Sequence, residues 1–288
     1  MIRGLYSAAS GMFTMERKQE ALSDNLANVQ TPGYKKDETV LRSFPNLLLQ
    51  RINDFNETGN VTPAGMPQIP QSMTIGELSN GVYAQERIPS FQQGTLVQTE
   101  GTFDVAIEDQ SIPTQQVNGQ DVKPTAFFAV QLPDGSVGYT RNGKWDLDAN
   151  GNLVTSEGYR VLGANGEPIE VTSSIRREDL QINSNGQIIA NGSETIGQIG
   201  VAVADNPLEL RRIGGNVYQA DNPLAFMQDG NNPGVTLHQG FLEQSNVDSG
   251  QTMTEMMMAI RSYEANQKVI SVYDKSLEQL YSVGRVNG

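Results

Sequence analysis

The chain has 288 residues, a formal charge of −13, one histidine and no cysteine. A face this acidic argues against nucleic acid as a partner, because a phosphate backbone demands basic residues. The absence of cysteine removes disulfides, thiolate metal sites and Cys nucleophiles, and a lone His238 cannot supply a two-imidazole metal site.

Taken in order, the chain opens on a helical pattern over about residues 3–29. Leu5, Ala8, Met12, Met15, Gln19, Leu22, Leu26 and Val29 recur at alternating spacings of three and four, the a/d pattern of a coiled-coil seam. Thr31-Pro32-Gly33 ends it, since Pro32 lacks a donor and pushes Thr31 out of the helical region, while Gly33 accepts a positive φ. The preceding Met1–Ser7 has neither a basic n-region nor an apolar h-region, so the reading is a chain without a cleaved signal peptide. Residues 35–80 read as an extended connector, apolar at Phe44–Leu49 and Pro/Gly-rich at Thr62–Pro70.

Residues 81–220 read as an all-β domain. Strands are expected over 81–88, over 102–108 around Phe103, Val105 and Ile107, and over 126–132, which closes on the turn Pro133-Asp134-Gly135. Asn142-Gly143, Asn150-Gly151, Asn165-Gly166 and Asn185-Gly186 have hairpin-turn chemistry. The Gln/Asn/Pro-rich stretch 110–125 reads as an inserted loop, and 221–240 as a second connector. A last helix is expected from Ser245, which stands three residues before Asp248 in a capping-box spacing, or from nearer Thr252 because of Gly250. It runs to about Val283. Met253, Met256, Ile260, Tyr263, Gln267 and Ile270 give it a second a/d seam, continued by Leu277 and Leu280. The expected fold is therefore α+β: N- and C-terminal helices paired as a coiled coil (1–34 with 241–288), extended connectors, and an all-β middle domain. No stretch reaches the roughly 20 apolar residues that span a bilayer, so no direct membrane insertion is expected.

Candidate chemistry is sparse. Asp146 through Glu157 satisfies the EF-hand loop template, with Asp146, Asp148, Asn150 and Glu157 as calcium candidates. An EF-hand needs a helix on each side, whereas both flanks here are strand-like, so a hairpin turning at Asn150-Gly151 with Trp145, Leu147, Leu153 and Tyr159 facing inward is preferred. A calcium-stabilised adhesive protein remains the alternative function. A carbohydrate-active enzyme is a third, although nothing selects a carboxylate pair among the acids. No phosphate-binding glycine pattern occurs. No catalytic residue, cofactor or enzymatic activity is expected.

Leu22-Ser23-Asp24-Asn25-Leu26-Ala27-Asn28-Val29-Gln30-Thr31-Pro32-Gly33-Tyr34-Lys35 resembles the N-terminal signature of bacterial flagellar axial proteins, the rod, hook and hook-junction components. Gly240–Asp248 and Arg261–Ile270 resemble the matching C-terminal signature, and Thr140-Arg141-Asn142-Gly143 through Gly158-Tyr159 resembles the β-domain of rod-type members. Leu41-Arg42-Ser43-Phe44-Pro45 is most similar to Gram-positive versions, and Gln110–Thr125 enlarges a loop that is short in the family. The resemblance implies a structural subunit of the flagellar rod in the basal body. It also implies export through the flagellar type III apparatus, polymerisation with copies of itself and with other axial proteins, and terminal helices forming the inner layer of a tube. The assembly residues so marked are Leu5, Met12, Met15, Leu22, Asn25, Leu26, Asn28, Pro32, Gly33, Met256, Ile260, Tyr263, Asn266, Ile270 and Leu277. The apolar members are expected to pack helix on helix, and Asn25, Asn28 and Gln267 to set register. Phe44 with Leu48 fits a loose export-recognition pattern.

Overall fold

The computed structural model describes residues 2–44, 47–52, 72–78, 81–117, 119–171, 179–190, 192, 194–227 and 234–286. The linker Thr62–Pro70 lies outside them. Two compact units result: Met1–Leu22 with Thr39–Arg87 and Thr254–Gly288, and Ser23–Glu38 with Ile88–Met253.

Two long helices, α1 (Ile2–Ala27) and α2 (Ser249–Val286), stand at the ends of the chain. The start of α2 differs from the capping box expected at Ser245. Asp248 is the cap: its Oδ1 accepts from the Gln251 amide at 2.9 Å, and its carbonyl accepts from Thr252 Oγ1 at 2.6 Å. Ser245 is left to accept from the Val247 amide. An aspartate three positions before an unpaired helical N–H satisfies that donor more directly, and the cap outweighs the cost of Gly250 in the first turn.

In the first unit the helices approach through small residues. A Cβ on Gly4 would meet the Tyr273 hydroxyl and one on Gly11 would lie 2.8 Å from Asn266 Nδ2. These contacts are seven residues apart on each helix and run in opposite senses, so the helices are antiparallel. Lys18 Nζ lies 3.9 Å from Glu255. On α1 Ala8, Gly11, Thr14 and Ala21 are buried and Lys18 half-buried; on α2 Ala259 is buried and Tyr263, Asn266, Ile270 and Tyr273 are half-buried. Tyr263 and Ile270 belong to the expected α2 stripe, and at the two glycines of α1 the space is filled by the far ends of the Tyr273 and Asn266 side chains.

Residues 37–89 contain β1 (Asp37–Ser43), β2 (Leu47–Ile52), β3 (Ser72–Leu78) and β4 (Val82–Pro89), with β1 paired to β4 and β2 antiparallel to β3. Ser10 and Thr14 of α1 bond to the backbone of Val82, and Arg87 pairs with Glu20 at 3.1 Å.

The second unit is β-rich. Its strands are β5 (Leu96–Gln98), β6 (Val105–Glu108), β7 (Gln115–Val117), β8 (Gln120–Val122), β9 (Thr125–Gln131), β10 (Val137–Thr140), β11 (Trp145–Leu147), β12 (Leu153–Thr155), β13 (Arg160–Val161), β14 (Leu180–Ile182), β15 (Gln187–Ala190), β16 (Glu194–Gln198), β17 (Val201–Ala204), β18 (Arg211–Gly214), β19 (Val217–Gln219), β20 (Thr236–Gln239) and β21 (Phe241–Glu243). The main sheet runs β11-β12-β13-β9-β10-β19-β18, with β17 also on β9; β14-β15-β16 form a second sheet, and β20, β21 and β7 pair with β6, β5 and β8.

The apolar run of β9 follows from its central place. Side chains alternate across a strand, so Ala126, Phe128 and Val130 enter one core and Phe127 the other, and both faces are buried. The larger core gathers Phe103, Val105, Ile107, Trp145, Leu153, Ile199 and Leu237, with the Trp145 ring 4.6 Å from that of Phe128. Leu147 and Tyr159 pack on its margin, as their inward reading predicted. Gly135, Gly151, Gly166 and Gly186 turn with positive φ as expected. Asn142-Gly143 does not: a Cβ on Gly143 would collide with the Val105 carbonyl, so this pair serves close backbone packing.

Candidate functional site

The most tightly built region lies in the second unit, where the segment leaving α1 meets the segment entering α2. Gly33 makes the first contact. Its φ is +68°, its amide donates to the Glu243 carbonyl at 2.7 Å, and a Cβ there would sit 2.4 Å from the Arg141 carbonyl. No other residue type combines that conformation with that approach.

Beneath it lie four buried charges. Lys35 Nζ contacts Glu243 Oε1 at 2.6 Å and donates to the Gln92 carbonyl. Arg141 Nε contacts Glu243 Oε2 at 2.7 Å, while its Nη1 contacts Asp109 Oδ2 at 2.9 Å and donates to the Ala126 carbonyl. The Gly94 amide completes Glu243, and the Ala126 amide donates to Asp109. Two cations face two anions, so the network is neutral as a whole and its members satisfy one another. Burial, and then the Arg141 charge, push the Lys35 ammonium down to about 8, still above neutrality. Burial alone would raise the Glu243 carboxyl, but the charges of Arg141 and Lys35 outweigh it and hold that group below its ordinary range. Arg141 also pays for burial, and Glu243 and Asp109 more than compensate.

A second cluster flanks the first. Arg212 bonds to Asp37 at 2.7 Å, to the Lys35 carbonyl at 2.8 Å and to the Tyr218 hydroxyl at 2.8 Å, with its guanidinium 5.0 Å from the Tyr34 ring centre. Asn25 exchanges two bonds with the Asp37 backbone and accepts from the Tyr34 hydroxyl. Asn28 donates to the Asp24 carbonyl and accepts from Thr31; the Pro32 carbonyl accepts from Asn216. Within the chain the hydrogen bonds of Asn25 and Asn28 fix the end of α1 and the turn after it. Gln267 is exposed. The junction holds backbone in place: Lys35, Arg141 and Arg212 donate to carbonyls, and Glu243 and Asp109 accept from amides.

The remaining predicted residues divide by exposure. Leu22 is buried, while Leu5, Met12, Met15, Leu26, Pro32, Met256, Tyr263, Asn266 and Ile270 are half-buried. Ile260 and Leu277 face outward in the single chain, 41% and 48% exposed. Lys35, Asp109, Arg141, Arg212 and Glu243 received no role from the sequence. Lys35, Arg141 and Glu243 all sit inside the motifs that carry the family resemblance, which was the available signal.

The Asp146–Glu157 segment is the hairpin β11–β12, registered Trp145 on Thr155 and Leu147 on Leu153. Asp148 spends its carboxylate on the amides of Asn150 and Asn152 and on Asn152 Nδ2, which hold it below its ordinary pKa range. Among the described residues no group of three or more acidic, His or Cys side chains is placed to hold a metal ion. The calcium-adhesive reading gains no support. His238 lies on β20 with Nε2 2.7 Å from Glu108 Oε2 on β6.

A buried junction that ties the segment leaving α1 to the segment entering α2 is the build of a structural protein. Comparison with known proteins gives its family. Residues 5–35 match the family described as flagella basal body rod protein, 122–190 the flagellar hook protein FlgE/F/G D1 domain, and 238–283 the flagellar basal body rod FlgEFG protein C-terminal. The chain is 38% identical to the flagellar hook-basal body complex protein FlhO of Bacillus subtilis, over 97% of each chain. It is 33% identical to the flagellar basal-body rod protein FlgG of Borreliella burgdorferi, over 96% of this chain and 97% of that one. With FlgG of Bacillus subtilis it shares 30% identity, over 99% of this chain and all of the relative. The chain belongs to the flagellar basal-body rod and hook family, whose members are structural components of the flagellum. No helix among the described residues is long and apolar enough to cross a membrane.

Proposed function

We propose that this chain is a subunit of the flagellar rod, passed out through the type III export apparatus and polymerised with its own copies and with other axial proteins into the shaft between motor and hook. In that shaft α1 and α2 pair as a coiled coil in the inner layer, and the β-rich unit lies outside them. The supporting observation is where apolar surface remains uncovered. Tyr6 and Phe13 on α1, and Met257, Ile260, Val272, Leu277, Leu280 and Tyr281 on α2, are between 41% and 71% exposed. Exposed apolar surface on this scale marks an interaction site, and a helix whose outer face is apolar needs a neighbour. Different faces of two helices favour heterologous contacts, which propagate as open helical assemblies.

The test is electron microscopy of isolated basal bodies from cells carrying an epitope-tagged chain. Label on the rod is expected. Basal bodies with complete rods and no label would overturn the proposal.

A further inference from the structure

At the root of the β7–β8 hairpin lies a cleft of about 360 Å³, lined by Phe91, Gln92, Gln93, Asp109, Gln110, Lys123 and Thr125. Its size falls at the lower end of the roughly 300–1,000 Å³ of small-molecule sites. Gln110 and Lys123, which flank the hairpin on either side, and Thr125 bring the 110–125 insertion into its wall, and most of that insertion precedes the matched D1 segment beginning at residue 122. We propose that it binds a neutral saccharide unit.

The floor is rigid and short of hydrogen-bond donors. Asp109 and Thr125 are 4% and 3% exposed. Asp109 gives one carboxylate oxygen to Arg141 and the Ala126 amide; its other oxygen has no partner among the described residues. Gln93 donates to the Ile107 carbonyl, and its Oε1 is buried without a donor. A ligand hydroxyl answers the second Asp109 oxygen, while Gln93 Oε1 lies too deep to be reached from the cleft. The Phe91 ring offers the apolar face of a sugar ring a wall, and is itself fixed by the rings of Phe127 at 5.7 Å and Tyr218 at 5.4 Å. Gln110 and Lys123 at the exposed rim supply donors for ring or acetamido oxygens. Lys123 at the rim and the Asp109 carboxylate on the floor are of opposite sign, so the lining carries no net charge that selects a free ion.

Calorimetric and NMR titration of the full chain with maltotriose and with chitotriose tests this. At least one sugar is expected to bind saturably at about millimolar affinity or better, with shifted amide signals at Gln92, Gln93 and Gln110. Gln110→Ala and Lys123→Ala, both on exposed side chains, should weaken it several-fold, and Phe91→Ala about tenfold or more, with thermal unfolding verifying that each variant is folded. Absence of saturation with both sugars would overturn the proposal. So would undiminished affinity in all three variants, or saturable binding of calcium chloride or inorganic phosphate at the cleft with none of either sugar. None of these outcomes depends on where the protein assembles.

Discussion

Lys35 and Glu243 stand 208 residues apart in the chain, yet their charged atoms meet at 2.6 Å with side chains 0% and 1% exposed. The contact fastens the exit of one terminal helix to the approach of the other, and Arg141 fastens both to the β-rich unit. Removing one partner strands the others. Glu243→Gln leaves two buried cations facing one remaining carboxylate, and should cost about 3–5 kcal/mol, the usual penalty for breaking a buried pair. Urea unfolding measures it. A loss below about 1 kcal/mol would mean that water reaches the network.

The same pair makes stability depend on pH at both ends of the scale. Glu243 titrates below its unfolded value, so its contribution is complete above the ordinary carboxylate range and is lost as pH falls through the depressed pKa. Lys35 titrates at about 8, below its unfolded 10.5, so the unfolded chain holds the extra proton between those values and stability rises with pH across that window. Denaturation midpoints of wild type and Lys35→Met, compared from pH 3 to pH 11, should show a difference that grows in favour of wild type between about pH 8 and pH 10.5. A difference that shrinks there would reverse the assignment.

Features governed by neighbours in sequence were legible. The turn at Pro32-Gly33 that follows α1, the buried strand β9 and the turn at Asn150-Gly151 are each set by local conformational rules, and each appears where residue chemistry placed it, although α1 itself stops at Ala27, two residues short of the expected 29. Partners across space were not. The pairing of β1 with β4 spans a Pro/Gly-rich stretch that carries no hydrophobic period, so residues 35–80 read only as a connector. An a/d count rewards leucine and methionine and so passed over Gly4 and Gly11, which Tyr273 and Asn266 meet. The junction was the least legible feature of all. A charged residue in sequence looks like surface, and only the fold brings Lys35, Asp109, Arg141 and Glu243 together.

Gly33 should tolerate nothing larger. Gly33→Ala adds left-handed strain of about 1–3 kcal/mol and forces the Arg141 carbonyl to move. Its effect should exceed that of Gly135→Ala, where φ is also positive but no atom lies within 4 Å. Thermal unfolding of the two variants separates steric approach from backbone conformation. Equal losses would show that conformation alone explains the residue.

The β11–β12 turn should ignore calcium. Its geometry comes from Asp148 accepting from Asn150 and Asn152, all within the chain. Titration with calcium should give no saturable heat and leave the melting temperature unchanged. Asp148→Ala, by contrast, should lower stability by about 0.5–2 kcal/mol, the range expected for a lost local cap. A calcium-dependent rise in melting temperature that disappears in Asp148→Ala would restore the metal reading.

The glycine contacts of the helix pair predict a suppressor. At Gly11 a side chain meets Asn266, so Gly11→Leu overpacks the antiparallel contact and should cost about 1–3 kcal/mol of helix protection. Shortening the opposite residue makes room, and Asn266→Ala in the same chain should recover much of the loss. Hydrogen exchange of the α1 and α2 amides reads both effects, because opening the pair exposes both helices together. The control is Phe13→Ala on the same helix: its side chain is 62% exposed, so it should leave exchange in the monomer nearly unchanged and, on the proposed rod function, impair assembly. If Gly11→Leu is silent and Phe13→Ala accelerates exchange, then the face assigned to the helix pair and the face left for neighbouring copies have been interchanged.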